Sequence, residues 1–380
     1  MKILISYPDL NFRGGERLFV DFANALKLRN HEVVFITARM SIKARKMIKQ
    51  IKLITPPPQF KSLFQNNLIF ILISPLFVFI SLLNNARHAD FLYTSESFIS
   101  LWPVILIGVV FKKQVIVSIF EFGGDNKSNE GIQRINHKLF IAVNIFFLKK
   151  ASFITSINPS IIHLLKKNYG LKNVTFIPAG LDFSLFSKFR NTTRANKYQL
   201  AKKHVIIMPG IIHPVKKQEF ALEILLEIKK SIKNIHLIYI GGGNPVHMRN
   251  LKELIKSKNL QKNVSIVGLL PEKDLALYYS VAKMTLMCGP IAGLTIIESI
   301  FMNTMPIYPT SGVPPLGPSE PFKLGFIINK YESRVFAHKI VEYLKNPDKY
   351  TKKLLEDKKI VEKNFDINYT IEKTLLLIKK

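Results

Sequence analysis

The chain has 380 residues, 48% of them apolar, with 55 Lys+Arg against 26 Asp+Glu and a formal net charge of +29. Such a length accommodates two domains of ~100–200 residues each, and an apolar content that includes 28 Phe excludes a disordered basic tail. The single cysteine, Cys288, excludes an internal disulfide framework and a cysteine-rich zinc module, and it fits a reducing compartment. The charge is spread evenly: residues up to Arg190 carry net +15 and the remainder net +14. An even lysine surplus describes a solvated surface and selects no partner among nucleic acid, anionic lipid and phosphorylated substrates.

Met1-Lys2 runs into Ile3-Leu4-Ile5-Ser6, and Tyr7-Pro8-Asp9 ends the apolar stretch too early for a signal peptide. It reads as a first β-strand. Leu18, Phe22, Ala25 and Leu26 then fall at helical spacing, and Val33–Thr37 reads as the second strand. Arg39–Lys52 reads as a basic helix carrying Lys43, Arg45, Lys46, Lys49 and Lys52. Leu68–Leu83 is the longest apolar run, sixteen residues around Pro75. A bilayer span takes ~20 residues, so this run reads either as a core helix or as one lying in a membrane interface. Strands are expected at Phe91–Tyr93, Val115–Ile119, Phe153–Thr155 and Val174–Ile177. Residues 187–203 are polar and basic without a period and read as a linker. Further strands are expected at Val205–Met208, His236–Ile240, Val264–Val267, Met284–Met287, Pro306–Tyr308 and Gly325–Ile327, with a closing helix at Asn368–Lys380.

Short apolar runs alternating with helix-length segments indicate βαβ units and parallel sheets, hence an α/β fold. The expected domains are 1–186 and 204–365, with residues 366–380 returning to the first. Ligands of such sheets bind beyond the carboxyl ends of the strands, which directs attention to the loops there. The first is Asn11-Phe12-Arg13-Gly14-Gly15-Glu16-Arg17, where paired glycines open a helix. Gly241-Gly242-Gly243-Asn244-Pro245 is a similar loop in the second half. Glycine admits close backbone approach, and a helix N-terminus favours an anion such as a phosphate. Both loops also fit ordinary tight turns. Neither is GxGxxG or a P-loop, which disfavours nicotinamide and ATP sites. In the third, Cys288-Gly289-Pro290-Ile291-Ala292-Gly293-Leu294-Thr295, Gly293 frees the backbone so that the N–H groups of Leu294 and Thr295 could hold a diphosphate. Glu298 follows in the first helical turn, suited either to a ribose diol or simply to the helix dipole.

These landmarks, in this order, resemble the retaining family 4 glycosyltransferases of the GT-B fold, which use nucleotide-sugar donors. The segments carrying the resemblance are GGERLFVDFANALKLRNHEVVFIT, ASFITSINPS, VTFIPAGLDFSLF, MPGIIHPVKKQEFALEIL, the stretch 240–284 and GLTIIESIFMNTMPIYPTSGVPP. The resemblance implies two Rossmann-like domains facing each other across a cleft, an acceptor-binding one first and a donor-binding one second. It implies that Gly14, Gly15 and Gly210 belong to the donor site and that Lys216 neutralises the departing diphosphate. The Gly268–Leu270 backbone would face the nucleobase. Gly293, Leu294 and Thr295 would hold phosphate, and Glu298 the ribose. No metal or cofactor is implied, because a Lys/Arg clamp and helix termini do that work.

Three positions depart from the pattern. Pro290 replaces the first Glu of the EX7E signature, Ile211 replaces the phosphate Arg, and Phe120 replaces a histidine beside the sugar. His213, Lys217, Glu121 and Asp125 are candidates to compensate at the sugar or acceptor. The implied partners are a nucleotide-sugar and a glycan or lipid-linked acceptor. The expected location is the cytoplasm, peripheral on the inner face of the cell membrane through Arg39–Lys52 and Leu68–Leu83. A degenerate, non-catalytic partner subunit is the alternative that Pro290 and Ile211 raise. A nucleic-acid-binding protein is the one that +29 raises, although no stacking platform or recognised module accompanies the charge.

Overall fold

The computed structural model describes residues 1–10, 14–60, 62–120, 132–189, 203–289, 293–310 and 321–379. It divides into two compact units, one formed by Met1–Leu181 with Ile367–Lys380 and the other by Asp182–Asp366.

In the first unit the strands are β1 (Lys2–Ser6), β2 (Asp9–Leu10), β3 (Glu32–Ile36), β4 (Arg39–Met40), β5 (Lys52–Ile54), β6 (Phe91–Ser95), β7 (Gln114–Ile119), β8 (Phe153–Ser156) and β9 (Val174–Phe176). Seven of them make one parallel sheet in the order β5-β3-β1-β6-β7-β8-β9, and β2 pairs with β4. Parallel strands are covered on both faces and therefore read as continuous apolar runs. Alternate residues feed opposite layers. Leu4, Leu92 and Val117 pack with Val78, Leu82, Val104 and Leu148 on one face. Ile3, Ile5 and Tyr93 pack with Phe19, Phe22, Ala44 and Ile371 on the other. The closing helix Ile367–Ile378 is tied to this unit by the Ile367 N–H donating to Leu181 O at 3.1 Å and Thr370 Oγ1 donating to Pro178 O at 2.8 Å.

The second unit holds β10 (His204–Pro209), β11 (Ile235–Ile240), β12 (Val264–Ile266), β13 (Met284–Leu286), β14 (Met305–Pro309) and β15 (Phe326–Ile328). They form a parallel sheet in the order β12-β11-β10-β13-β14-β15. In both sheets the first strand is flanked by the second on one side and by a later one on the other. The order therefore reverses between β1 and β6, and again between β10 and β13. These reversals are the switch points beside which open α/β sheets bind ligands.

Every strand read from the sequence is present within one or two residues, but two other expectations fail. The basic helix over Arg39–Lys52 does not form. Arg39–Met40 is β4, the helix runs only from Ile42 to Met47, and Lys52–Ile54 is the edge strand β5, paired with β3. Asn24 ends that helix: its side chain donates to Met47 O at 2.7 Å and accepts from the Lys49 N–H at 2.9 Å. Gln50 then takes a left-handed turn, φ 52°, into β5. The helix contributes Ala44 to one layer and Leu68–Leu83 contributes Val78 and Leu82 to the other, so the two segments expected to share a membrane face pack on opposite faces of the sheet.

The domain boundary also moves. Residues 182–186 belong to the second unit, where Phe183 stacks on Phe301 at 4.1 Å and Phe186 is buried against Tyr279. Two buried aromatics outweigh the polar residues around them. Most of the expected linker, 190–202, lies outside the described residues. Finally, the Leu68–Leu83 run forms the helix Asn67–Leu83, which is neither wholly buried nor wholly free. Phe70, Pro75, Val78 and Leu82 face the core, while Leu68 and Leu72 are each 68% exposed. Among the described residues no helix is long and apolar enough to cross a membrane.

His236 on β11 is buried, with Nε2 2.8 Å from Ser265 Oγ, and burial followed by the nearby Lys203 ammonium pushes its pKa down to about 4. An unfolded histidine protonates near 6.5, so the unfolded chain binds the extra proton first as pH falls. Stability from this residue is therefore complete above about pH 6.5 and declines towards pH 4. Thermal melts across that window are expected to fall in Tm, and His236→Gln is expected to flatten the decline.

Candidate functional site

The second unit concentrates glycine-rich loops at the carboxyl ends of β10, β11, β12 and β13. β10 ends at Gly210, whose N–H donates to Ile240 O at 2.8 Å, and the Ile212 N–H donates to Gly242 O at 2.8 Å. Ile212 and Gly243 form a further parallel bridge, so the loops after β10 and β11 stay paired beyond their strands. That approach requires glycine. A Cβ on Gly241, whose φ is +155°, would lie 2.0 Å from Gly210 O, and one on Gly243 would lie 2.5 Å from Ile212 O. The chain then closes a 3-10 turn at Pro214–Lys216, with the His213 side chain accepting from the Val215 N–H at 3.3 Å. Lys217 is left-handed at φ 54° and starts the helix Gln218–Lys229. Such a backbone in a side-chain-bearing residue costs about 1 kcal/mol and needs support from its surroundings. Gln218 supplies it: its Nε2 donates to Ile211 O at 2.9 Å and its own carbonyl accepts from Tyr239 OH at 2.8 Å.

Across the switch point, β13 leads through Met287 and the buried Cys288 to Gly289. A Cβ on Gly289 would lie 2.6 Å from Val215 O and 3.1 Å from Lys216 Cα. The Lys216 turn is thus pressed against the loop after β13. Cys288 O accepts from Tyr331 OH at 2.9 Å, and burial pushes the Cys288 thiol well above its ordinary range. A thiol in that state is no nucleophile. Gly293 and Leu294 then enter the helix Thr295–Phe301, where the Glu298 N–H donates to Leu294 O at 3.0 Å.

Glu298 is 6% exposed, and its Oε2 accepts from the fully buried Tyr279 hydroxyl at 3.0 Å. Tyr279 is itself held by Thr304, whose Oγ1 donates to Tyr279 O at 2.9 Å. A carboxylate this far from water needs such partners, and its place in the first helical turn adds a favourable dipole. On the far side, Gly268 has φ +72° and carries Leu269, 71% exposed, next to Gly242.

Past the carboxyl ends of these strands the chain thus places Gly210, His213, Lys216 and Lys217 after β10, Gly268 and Leu270 after β12, and Gly293, Leu294, Thr295 and Glu298 after β13. Ile211, at the position of the missing arginine, points an apolar side chain outward, 54% exposed. Pro290 lies outside the described residues. No local pattern singles out His247, whose ring is 5.6 Å from that of His213, or Tyr279 behind Glu298. Tyr279 was legible only as one more apolar-face residue of a helix.

The first unit carries Gly14 and Gly15 at the start of the helix Gly14–Leu28, beside its own switch point. A Cβ on Gly15 would lie 3.3 Å from the Phe120 ring, which also meets Phe19 edge-on at 5.7 Å. Phe120 is thereby packed into an aromatic cluster. Its N–H donates to Glu96 Oε1 at 3.3 Å, and Glu96, directly after β6, is a carboxylate the sequence reading passed over. Glu121 and Asp125 lie outside the described residues.

Both units have the topology of a nucleotide-binding α/β sheet, and the comparisons agree with that geometry. Residues 190–359 match the family of glycosyl transferases group 1. Among solved structures, Anabaena HepE in complex with UDP and glucose is similar over 100% of both chains at 14% identity, with a TM-score of 0.77. A glycosyltransferase from Rickettsia africae is similar at 20% identity and TM-score 0.76, over 100% of this chain and 97% of that one. WaaG, a glycosyltransferase involved in lipopolysaccharide biosynthesis, is similar at 14% identity and TM-score 0.70, over 99% of both. No curated protein matches the sequence. The fold is GT-B.

Gly289→Ala would force its new methyl group into Val215 O and the Lys216 backbone. Overpacking of this kind costs about 1–3 kcal/mol, so a lower Tm is expected in a thermal melt. Gly210→Ala has open space around the Cβ but requires φ +140° and is expected to cost less than Gly241→Ala, which has both the strain and the clash.

Proposed function

We propose that the chain is a metal-independent, retaining family 4 glycosyltransferase that moves a sugar from a nucleotide-sugar to a glycan or lipid-linked acceptor. The observation that carries this reading is the clasp at the second switch point. The Lys216 turn packs there against Gly289, ahead of the helix bearing Glu298, on a unit whose residues 190–359 match the glycosyl transferase family. Anabaena HepE, similar in fold, binds UDP and glucose. The loops around Lys216 and Gly293 would take the diphosphate, with Lys216 opposing the charge that develops as the phosphate leaves. Glu298, oriented by Tyr279, would accept hydrogen bonds from the ribose diol. Leu269 and the Gly268 backbone would lie along the base. In this reading the leaving phosphate oxygen takes the acceptor proton, as the family's retaining mechanism implies. A hexosyl donor and a peripheral position on the cytoplasmic side of the membrane belong to the same reading.

Exposed Ile211 supports a second reading, a non-catalytic partner that keeps the fold without a complete phosphate clamp. The two separate in one experiment. A thermal-shift screen against UDP-, GDP- and ADP-sugars is expected to give a clear rise with one of them. Saturation at about 100 times Kd adds ~2.7 kcal/mol of stability. With that donor, Lys216→Ala is expected to lower kcat by about 10²–10³, the usual cost of losing one transition-state charge partner. Glu298→Gln is expected to raise the donor KM. If no donor shifts the wild-type protein and none is hydrolysed or transferred, the enzyme reading fails.

A further inference from the structure

We propose that Phe183 and Phe186, on the segment by which the chain enters the second unit, are positioning residues for Glu298 and set how strictly the site requires a ribose. The identity of the ligand rests on the nucleotide-sugar reading above. The coupling between the two rings and the carboxylate does not.

The segment is stiff before it meets anything else. Asp182 Oδ1 accepts from the Ser184 N–H at 2.9 Å. The Phe183 carbonyl accepts from the Ser187 N–H at 2.9 Å and from Ser187 Oγ at 2.8 Å. The result is one helical turn, Ser184–Ser187, with Phe183 at its start. Side chains three apart on such a turn lie on the same side, so both rings enter the second unit together. Phe183 is 6% exposed and Phe186 is wholly buried.

The rings end on the two elements that hold Glu298. Phe183 lies flat on Phe301, with centroids 4.1 Å and planes 8° apart. Phe301 closes the helix Thr295–Phe301, three residues beyond Glu298, so the stack fixes where that helix ends. Phe186 meets the Tyr279 ring at 6.3 Å and 63°. Such a contact is directional, which buried apolar area alone is not. Tyr279 lies on the helix Glu272–Val281, and its hydroxyl donates to Glu298 Oε2 at 3.0 Å.

The backbones around this group are already tied. Thr304 Oγ1 donates to Tyr279 O at 2.9 Å, while the Thr304 N–H donates to Ser299 O at 2.8 Å, back in the Glu298 helix. Ser299 Oγ in turn donates to Thr285 Oγ1 at 2.9 Å, joining that helix to β13. With the main chain anchored, the lie of the carboxylate follows the Tyr279 hydroxyl, and the Tyr279 ring follows Phe186. A hydrogen bond of this length weakens steeply when its partner tilts, and a binding group must be held within about 0.5 Å to select its ligand. A purely structural role for the rings predicts lost stability alone. A positioning role predicts, in addition, a changed preference among nucleotides.

Two measurements on the full chain test this. The first needs no nucleotide: a double-mutant cycle of Phe186→Leu and Glu298→Gln, read by urea unfolding. Independent sites combine to within about twofold in the unfolding equilibrium. This pair is expected to deviate at least threefold, and the deviation is expected to vanish in a Tyr279→Phe background. The second is calorimetric binding of UDP, GDP and ADP against their 2′-deoxy forms. Wild type is expected to bind one ribonucleotide at least tenfold more tightly than its 2′-deoxy form. Tyr279→Phe, Phe186→Leu and Phe183→Leu are each expected to reduce that preference at least threefold. Phe326→Leu, which removes a buried ring packed on Tyr343, is expected to lower the melting temperature and leave the preference unchanged. An additive cycle overturns the positioning role and leaves the nucleotide-sugar reading standing. An undiminished ribose preference in Phe186→Leu and Phe183→Leu does the same. If wild type binds none of the three nucleotides, the nucleotide-sugar reading fails and the ribose assignment falls with it, whatever the cycle gives.

Discussion

At the carboxyl end of the second sheet, three backbone segments approach more closely than any Cβ would allow. Gly241 meets Gly210 O, Gly243 meets Ile212 O, and Gly289 meets Val215 O and the Lys216 backbone. Each contact joins loops from neighbouring strands, β11 to β10 and β13 to β10. Together they fix where the Lys216 turn lies relative to the loops after β11 and β13 through backbone contact alone. Side chains on a rim built this way can be given over to ligand, since backbone hydrogen bonds such as Ile212 N–H to Gly242 O already hold the loops. The left-handed Lys217 is consistent with that division. Its strain is tolerated because Gln218 and Tyr239 anchor the residue that follows it.

The same logic explains what was legible in the sequence and what was not. Parallel strands buried on both faces leave an unmistakable apolar run, and Val205–Met208 or Val115–Ile119 needed nothing else. β5 was hidden because an edge strand of three residues, Lys52–Ile54, alternates too briefly to show a period. Its preceding turn depends on Asn24, more than twenty residues away, a contact that no local pattern encodes. Phe183 and Phe186 fall in the other unit because their rings meet partners far along the chain, Phe183 stacked on Phe301 and Phe186 edge-on to Tyr279. At the candidate site, Gly210 and Gly268 came only with the family resemblance, whereas Gly14, Gly15, Gly241–Gly243, Gly293 and Glu298 could be picked out from the loops they occupy. Tyr279, Glu96 and His247 could not, since their parts depend on which loops the topology brings together.

The departures from the family pattern look different once the surroundings are known. Phe120 fills an aromatic cluster with Phe19 and closes on Gly15. Ile211 has no such support: its side chain projects outward, and only its carbonyl is used, by Gln218. A carbonyl fixed in this way keeps the loop in place whatever the side chain is. The Lys216 turn is therefore held in place independently of the side chain at position 211.

The net charge acquires a structure as well. Spread evenly by sequence, it is segregated in space within the first unit, where acid-free segments place basic turns at the ends of three apolar helices, Asn67–Leu83, Phe98–Val110 and Ile132–Leu148. Elsewhere carboxylates are paired: Glu342 is held down to about 2 by hydrogen bonds from Lys349, Tyr350 and Lys339. Surface pairs of that kind contribute little stability, but this one offsets the charge of Lys339 and Lys349 locally. The basic turns of the first unit differ: Asp90 lies close to Arg87 and His88 in sequence, but no carboxylate occurs in 98–120 or 132–181, and a helix C-terminus is where a cation is already favoured. Their field is screened beyond about a Debye length, ~8 Å at physiological salt.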